Sequence, residues 1–332
     1  MTNNRAEIPT DTLPSSRLPW AEGSNPLMLA PMQGLTNRAL RELFVEKVQP
    51  DVVFTEFVRI QAGAKKIISN NGRAEVIAKS GDTPLVVQLI GVDAEALVAA
   101  ADMVQELGGE YLNINLGCPY GRMTSNSAGG ALLRDPIALE KMLVLLRRQI
   151  KVGFSVKVRS GFDDPGQVLT LLQVFEDCGV DFLIIHPRTV IQKYSGPADH
   201  QITAEAVGKC RLPVIANGDI FTVADGKRVA EQTGAAGLMM GRGAIADPLL
   251  FKRMRGEYQV VSGPAERLAE LQDYLAALLP RYQDLFCGDQ QVLSKMKEVL
   301  SQVNDPDLAK PVRGLLRCRQ LDRFAGMLAD LA

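Results

Sequence analysis

The run Tyr111-Leu112-Asn113-Ile114-Asn115-Leu116-Gly117-Cys118-Pro119-Tyr120 ends a strand-like stretch in a cysteine backed by a proline. A cysteine holds its proton at neutral pH yet releases it readily, so a thiol at a strand terminus is a candidate acid or nucleophile. Strand alternation sends Asn113, Asn115 and Gly117 to one face and Leu112, Ile114 and Leu116 to the other. The polar face must line something other than an apolar core. A buried structural cysteine is the competing reading, and the residues at the other strand ends weigh against it.

Those ends are unusually polar. Alternation through Phe154-Ser155-Val156-Lys157-Val158-Arg159 puts Ser155, Lys157 and Arg159 on the face opposite the apolar residues. An inward ammonium needs an anion to offset its burial, so Lys157 marks a ligand site. His186 and Arg188 share a face by the same parity, and His186 is one of only two histidines in the chain. Asn217-Gly218-Asp219 reads as a tight turn with hydrogen-bonding groups. Gly241-Arg242-Gly243 opens a helix-like stretch, Ala244 to Met254, so backbone amides, a helix N-terminus and a guanidinium converge where a phosphate can bind. Gln88 supplies a further amide.

The elements that must carry these groups repeat one unit, an apolar run, a polar or glycine-bearing loop and an amphipathic helical stretch. The runs are Leu27–Ala30, Asp51–Thr55, Pro84–Leu89, Tyr111–Leu116, Phe154–Val158, Asp181–His186, Leu212–Ala216 and Ala236–Met240. Eight such repeats within residues 26–258 predict a (β/α)8 TIM barrel, α/β in class, with its chemistry at the carboxyl ends of the strands. No Gly-x-Gly-x-x-Gly follows the first run, which disfavours an open doubly wound sheet. Residues 259–332 read as a small all-helical domain, with helices over Glu266–Gln283, Gln290–Val303 and Pro311–Leu331 and a surplus of lysine and arginine. Residues 1–25 read as a loose polar tail.

Composition limits the remaining choices. The chain has 332 residues, 46% of them hydrophobic, and a net charge of -1, values that fit a folded globular protein. Five cysteines without close pairing or zinc-like spacing predict neither a disulfide framework nor a metal site, and fit a reducing cytoplasm. The N-terminal stretch lacks the apolar segment of a signal peptide, and no stretch approaches the roughly 20 apolar residues a membrane span needs. A phosphate site after the last two strands, a cation after the fifth, an amide after the third and a thiol after the fourth together point to a flavin mononucleotide across the barrel mouth, with Lys157 stabilising negative charge on the reduced ring and Cys118 as acid.

The motifs resemble those of the tRNA-dihydrouridine synthases. The matching stretches are Ala30-Pro31-Met32-x-Gly34, Thr55-Glu56-Phe57-Val58-Arg59, Val87-Gln88-Leu89-x-Gly91, Asn113-x-Asn115-x-Gly117-Cys118-Pro119, Ser127-x-Gly129-Gly130, Val156-Lys157-Val158-Arg159, His186-x-Arg188-Thr189, Asn217-Gly218-Asp219-Ile220 and Met240-Gly241-Arg242-Gly243. The resemblance implies an NADPH- and FMN-dependent reduction of a uridine in tRNA, with Cys118 as proton donor to carbon 5. It further implies that Pro31, Met32, Gln33, Gln88, Lys157, His186, Asn217, Gly218, Asp219, Gly241 and Arg242 bind the flavin. Asn115 would hold the flipped-out uracil, and Arg59, Arg122, Arg159, Lys295 and Lys297 would contact the tRNA. Thr55 to Arg59 is similar to the bacterial C-type branch, which modifies position 16 of the D-loop. Members often carry a lysine shortly after the Cys-Pro pair, where this chain has Gly121 and Arg122. A monomer is expected. The alternatives are a flavin barrel acting on free pyrimidines, as dihydroorotate or dihydropyrimidine dehydrogenases do, and an RNA-binding barrel without flavin.

Overall fold

The computed structural model describes residues 17–79, 81–119, 128–260 and 263–331. Strands β1 (Leu27–Leu29), β2 (Val52–Phe54), β3 (Val58–Arg59), β4 (Leu85–Ile90), β5 (Tyr111–Leu116), β6 (Gly153–Gly161), β7 (Phe182–Thr189), β8 (Val214–Asn217) and β9 (Gly237–Met240) form one parallel sheet. β1 pairs with both β2 and β9, and β2 with β4, so eight strands close into the expected TIM barrel. β3 was not legible from periodicity. It is a two-residue strip that rejoins the end of β4, pairing Val58 with Leu89 and Arg59 with Ile90.

Alternation divides the strands as the sequence requires. Met28, Val52, Phe54, Val86, Phe182, Ile184, Ile215 and Met239 fill the barrel interior, while Leu112, Ile114, Phe154, Val156, Val158, Leu183 and Ile185 face the surrounding helices. Those helices are α1 (Arg38–Val48), α2 (Asn70–Ile77), α3 (Ala94–Glu106), α4 (Pro136–Gln149), α5 (Gln167–Asp177), α6 (His200–Lys209) and α7 (Val223–Thr233). Side-chain caps start most of them, for example Asn37 on α1, Asp93 on α3 and a capping box of Thr222 with Asp225 on α7. Of the stretch expected to be a loose tail, residues 1–16 lie outside the described residues, and residues 17–20 are packed. Arg17 pairs with Asp181 at 3.7 Å, and the Trp20 ring meets Phe182 edge-on at 4.8 Å, so this segment packs on the amino-terminal end of the barrel.

After β9 the single helix expected over Ala244–Met254 is two, α8 (Arg242–Ala246) and α9 (Leu250–Arg255), interrupted at Asp247-Pro248. The carboxyl-terminal segment comprises α10 (Pro264–Leu285), α11 (Asp289–Leu300), α12 (Ala309–Arg317) and α13 (Leu321–Ala329); the helix expected over Pro311–Leu331 breaks at Cys318–Gln320. One apolar cluster runs from Leu40, Phe44 and Phe251 on the barrel side to Leu275, Leu278, Met296, Leu315 and Phe324. Phe44 meets both Phe251 and Tyr274 edge-on, at 6.2 and 6.1 Å. The helical segment thus completes the covering of α1 and has no separate core. None of the described helices is long and apolar enough to cross a membrane.

Candidate active site

Cys118 leaves the carboxyl end of β5 on a loop held by Asn115, whose Oδ1 accepts from the amides of Gly117 at 3.0 Å and Cys118 at 2.9 Å. The thiol is half-buried beside Ile90, Ala128 and Phe57. The returning chain presses close. Gly129 has φ +59°, and a Cβ there would lie 3.2 Å from that of Cys118; a Cβ on Gly130 would meet Val190 at 2.4 Å. The paired glycines let the backbone pack against the thiol loop.

Next to it around the mouth, β6 to β9 and the end of β1 form a cationic cleft. It is lined by Pro31, Met32, Lys157, His186, Asn217, Gly218, Asp219, Gly241 and Arg242, together with Tyr194, Ile220 and Phe221. Lys157 points inward as parity demands, and its Nζ donates to Asn217 Oδ1 at 2.7 Å. Burial, reinforced by the charge of Arg159, lowers its pKa to about 7. Asn217 is fixed in turn by donating to the Met239 carbonyl at 2.8 Å.

His186 is held neutral: burial, then the charges of Lys157, Arg159, Arg188 and Arg242, push its pKa well below the ordinary value. Arg188 Nη1 lies 3.1 Å from His186 Nε2. A guanidinium can only donate, so the imidazole accepts at Nε2 and carries its proton on Nδ1. Arg188 also donates to Asp219 Oδ2 at 2.6 Å and to the Gly196 carbonyl. Burial pushes the Asp219 carboxyl up, but hydrogen bonds from Arg188 and the Ala198 amide and the charges of Arg188 and Arg242 hold it below the usual range. Arg242 reaches Asp219 only at 3.5 Å and lies over the rings of Tyr194 and Phe221, with its Cζ 4.6 and 5.3 Å from their centroids.

These residues fit a phosphorylated flavin. Lys157 has no carboxylate partner among the described residues, and Arg242 has only a long one, so the cleft has positive charge to spare for an anion. Glycine is required on this wall by close internal packing: Gly218 has φ +124°, and a Cβ there would lie 2.9 Å from His186, while one on Gly243 would lie 2.1 Å from the Ile220 carbonyl. His200, to which the sequence assigned no role, places its Nε2 2.9 Å from the Gly218 carbonyl and fixes the same turn.

Other expected residues lie elsewhere. Gln88 is fully buried between Asn113 and Asn115 and does not line the cleft. Arg159, expected at a tRNA surface, is 2% exposed because its guanidinium is turned onto the carbonyls of Gly117, Thr189 and Lys193. Lys297 donates to the Cys318 carbonyl at the break before α13. Arg122 lies outside the described residues.

Gln33, Arg59 and Lys295 line a second cavity of about 810 Å³ between the loops after β1 and β2 and helices α10 and α11. Lys295 Nζ donates to the Gly34 carbonyl at 3.2 Å and to Glu298 at 2.6 Å. Glu56, quoted in a motif but given no role by the sequence, also lines this cavity. Burial pushes its carboxyl up to about 7; the Gly34 amide, Arg41 and Lys295 oppose the rise and Glu75 adds to it. Phe57 joins the two regions, since it faces this cavity and packs beside Cys118.

The family model for dihydrouridine synthase matches residues 28–314. Over 270 residues the chain is 33% identical to "tRNA-dihydrouridine synthase B" of Pseudomonas aeruginosa, an alignment spanning 80% of each chain. It is also 33% identical over 237 residues to "tRNA-dihydrouridine(16) synthase" of Cupriavidus necator, covering 69% of this chain and 73% of that one. A "probable tRNA-dihydrouridine synthase" of Rhodobacter capsulatus is 34% identical over 226 residues, 67% of this chain and 68% of that one. With its motifs on the strand ends of a closed barrel and this match across most of its length, the chain belongs to the dihydrouridine synthase family.

Proposed function

We propose that this protein reduces the carbon 5 to carbon 6 double bond of a uridine in tRNA, giving 5,6-dihydrouridine, with FMN as cofactor, NADPH as electron donor and position 16 of the D-loop as target. The carrying observation is the pairing of a fixed, half-buried thiol on the loop after β5 with an adjoining cleft whose inward, half-buried lysine has no anionic partner among the described residues. The family match supports the reaction class. The target position rests on Thr55 to Arg59 and on the relative whose name carries that position.

A flavin held in the cleft would supply the hydride for carbon 6 of the uracil. Arg242 and the backbone at Gly218, Asp219, Gly241 and Gly243 would hold its phosphate, with Pro31 and Met32 along the cleft wall. Lys157 would supply positive charge to the reduced ring, and neutral His186 a hydrogen-bond donor at Nδ1. Cys118 gives its proton to carbon 5, which balances the hydride and leaves a thiolate that solvent reprotonates. Asn115 retains one amide hydrogen for the base after donating the other to Gln88. The tRNA lies along the second cavity, where Arg59 and Lys295 meet phosphates. No metal takes part. We read the protein as a monomer, and as cytoplasmic, a compartment that free cysteines suit.

The test is incubation of the purified yellow protein with NADPH and unmodified tRNA, followed by digestion and mass analysis. Dihydrouridine in the tRNA, without turnover of uracil or orotate, is the expected result. Turnover of the free pyrimidines with tRNA untouched would move the protein to the pyrimidine dehydrogenases, and a colourless protein unable to take up flavin would make it a binding barrel only.

A further inference from the structure

We propose that Ser155 and Asn113 are positioning residues for Cys118, acting through a one-way chain of hydrogen bonds buried in the barrel. This rests on the reading of Cys118 as the proton donor. The chain crosses β4, β5 and β6: Asn115 Nδ2 donates to Gln88 Oε1, Gln88 Nε2 to Asn113 Oδ1, and Asn113 Nδ2 to Ser155 Oγ, each at 2.8 Å. Ser155 Oγ then donates to the Leu112 carbonyl at 3.3 Å. Gln88, Asn113 and Ser155 are 0% exposed and Asn115 is 9% exposed, so bulk water has little access to substitute for a lost partner.

The sense of the chain is fixed at both ends. An amide side chain taken alone can present either its oxygen or its nitrogen to a neighbour. At one end the Leu112 carbonyl can only accept, so Ser155 must donate there and accept from Asn113. Asn113 then shows its oxygen to Gln88, and Gln88 its oxygen to Asn115. At the other end the amides of Gly117 and Cys118 can only donate, and they meet the Asn115 oxygen that this order delivers. Reversing any one amide sets oxygen against oxygen or N–H against N–H somewhere along the line. Thr55 Oγ1 accepts from the backbone amide of Gln88 at 3.0 Å, which fixes the strand position from which that side chain projects. Ser155 and Asn113 touch neither the cleft nor the thiol, yet they determine which end of Asn115 holds the Cys118 loop.

Ser155→Ala removes the donor to Leu112 and the acceptor for Asn113. With the holoenzyme, kcat for tRNA reduction is expected to fall roughly tenfold to a hundredfold, the loss typical of a misplaced reacting group. KM for tRNA, flavin content and NADPH oxidation by the flavin stay as in the parent. Ser155→Thr, which keeps the hydroxyl, restores kcat, and alkylation of Cys118 by iodoacetamide, followed on its peptide, changes rate in the alanine variant alone. In a Cys118→Ala background, Ser155→Ala should add no further loss, because its effect passes through the thiol. If Cys118→Ala is impaired but Ser155→Ala keeps full kcat and an unchanged alkylation rate, the positioning role is overturned. If Cys118→Ala itself keeps full kcat, the proton-donor reading fails instead. Should Ser155→Ala not fold, Asn113→Leu carries the same comparison, and unaltered kcat and alkylation in that variant overturn the proposal equally.

Discussion

Lys157 shows what a single residue reveals and conceals. Period-two alternation was enough to turn its ammonium inward, but nothing in the sequence named Asn217 as its partner or showed how far burial would lower its pKa. The titration has a consequence. In the ligand-free protein the lysine loses its proton as pH rises through about 7, whereas a bound anion favours the ammonium, so flavin binding takes up a proton above that pH. Flavin affinity is expected to hold below pH 7 and to fall above it, by at most about tenfold per pH unit. Fluorescence quenching titrations across that range check this. Lys157→Met should bind flavin more weakly below pH 7 and lose the pH dependence, and a flat profile in the parent would contradict the assignment. Arg159 and Glu56 mark the limit of residue-level reading. Parity gives a face, but only the fold shows that Arg159 clasps the carbonyls of Gly117, Thr189 and Lys193 and that Glu56 is half-buried beside a cavity.

At the scale of elements, the eight barrel strands were legible because parallel strands covered on both sides are near-continuous apolar runs ending in polar residues. β3 was not, since two residues carry no period, and the helix breaks at Asp247-Pro248 and Cys318–Gln320 were masked by apolar spacing that continues across them. The turn after β8 makes a measurable claim about cofactor binding. Gly218→Ala must place a Cβ 2.9 Å from His186 and 3.1 Å from Ala198 at φ +124°. Flavin is expected to be lost, with about 1–3 kcal/mol of stability. Gly208→Ala, in α6 with nothing within 4 Å of its Cβ, should keep flavin and gain about 0.5–1 kcal/mol. Flavin content and thermal melts of the two variants distinguish them, and a Gly218→Ala protein that stays fully loaded would remove the turn from the site.

For the whole molecule, the sequence separated a barrel from a helical domain by the change in pattern after Gly256, but pattern does not show which faces share a core. The cluster joining Phe44 and Phe251 to Tyr274, Leu275 and Leu278 predicts that a chain ending at residue 258 exposes α1 and aggregates. A soluble monomeric truncation with native-like circular dichroism would contradict this. The proposed tRNA surface lies at the same junction. Lys295→Glu should weaken tRNA binding and lower the salt slope by about one, whereas Lys297→Glu, which loses a bond to the Cys318 carbonyl, should act mainly on stability. Filter binding across a salt series separates the two, and equal slopes for Lys295→Glu and the parent would place the contact elsewhere. The central claim, a thiol that protonates a uracil opposite a flavin, is tested most directly by mixing NADPH-reduced Cys118→Ala protein with unmodified tRNA without oxygen and mapping dihydrouridine by position over time. Full flavin reduction by NADPH is expected, with product formation at position 16 slowed by roughly 10²–10⁴-fold relative to the parent; dihydrouridine appearing at the parental rate would contradict the proton-donor role of Cys118.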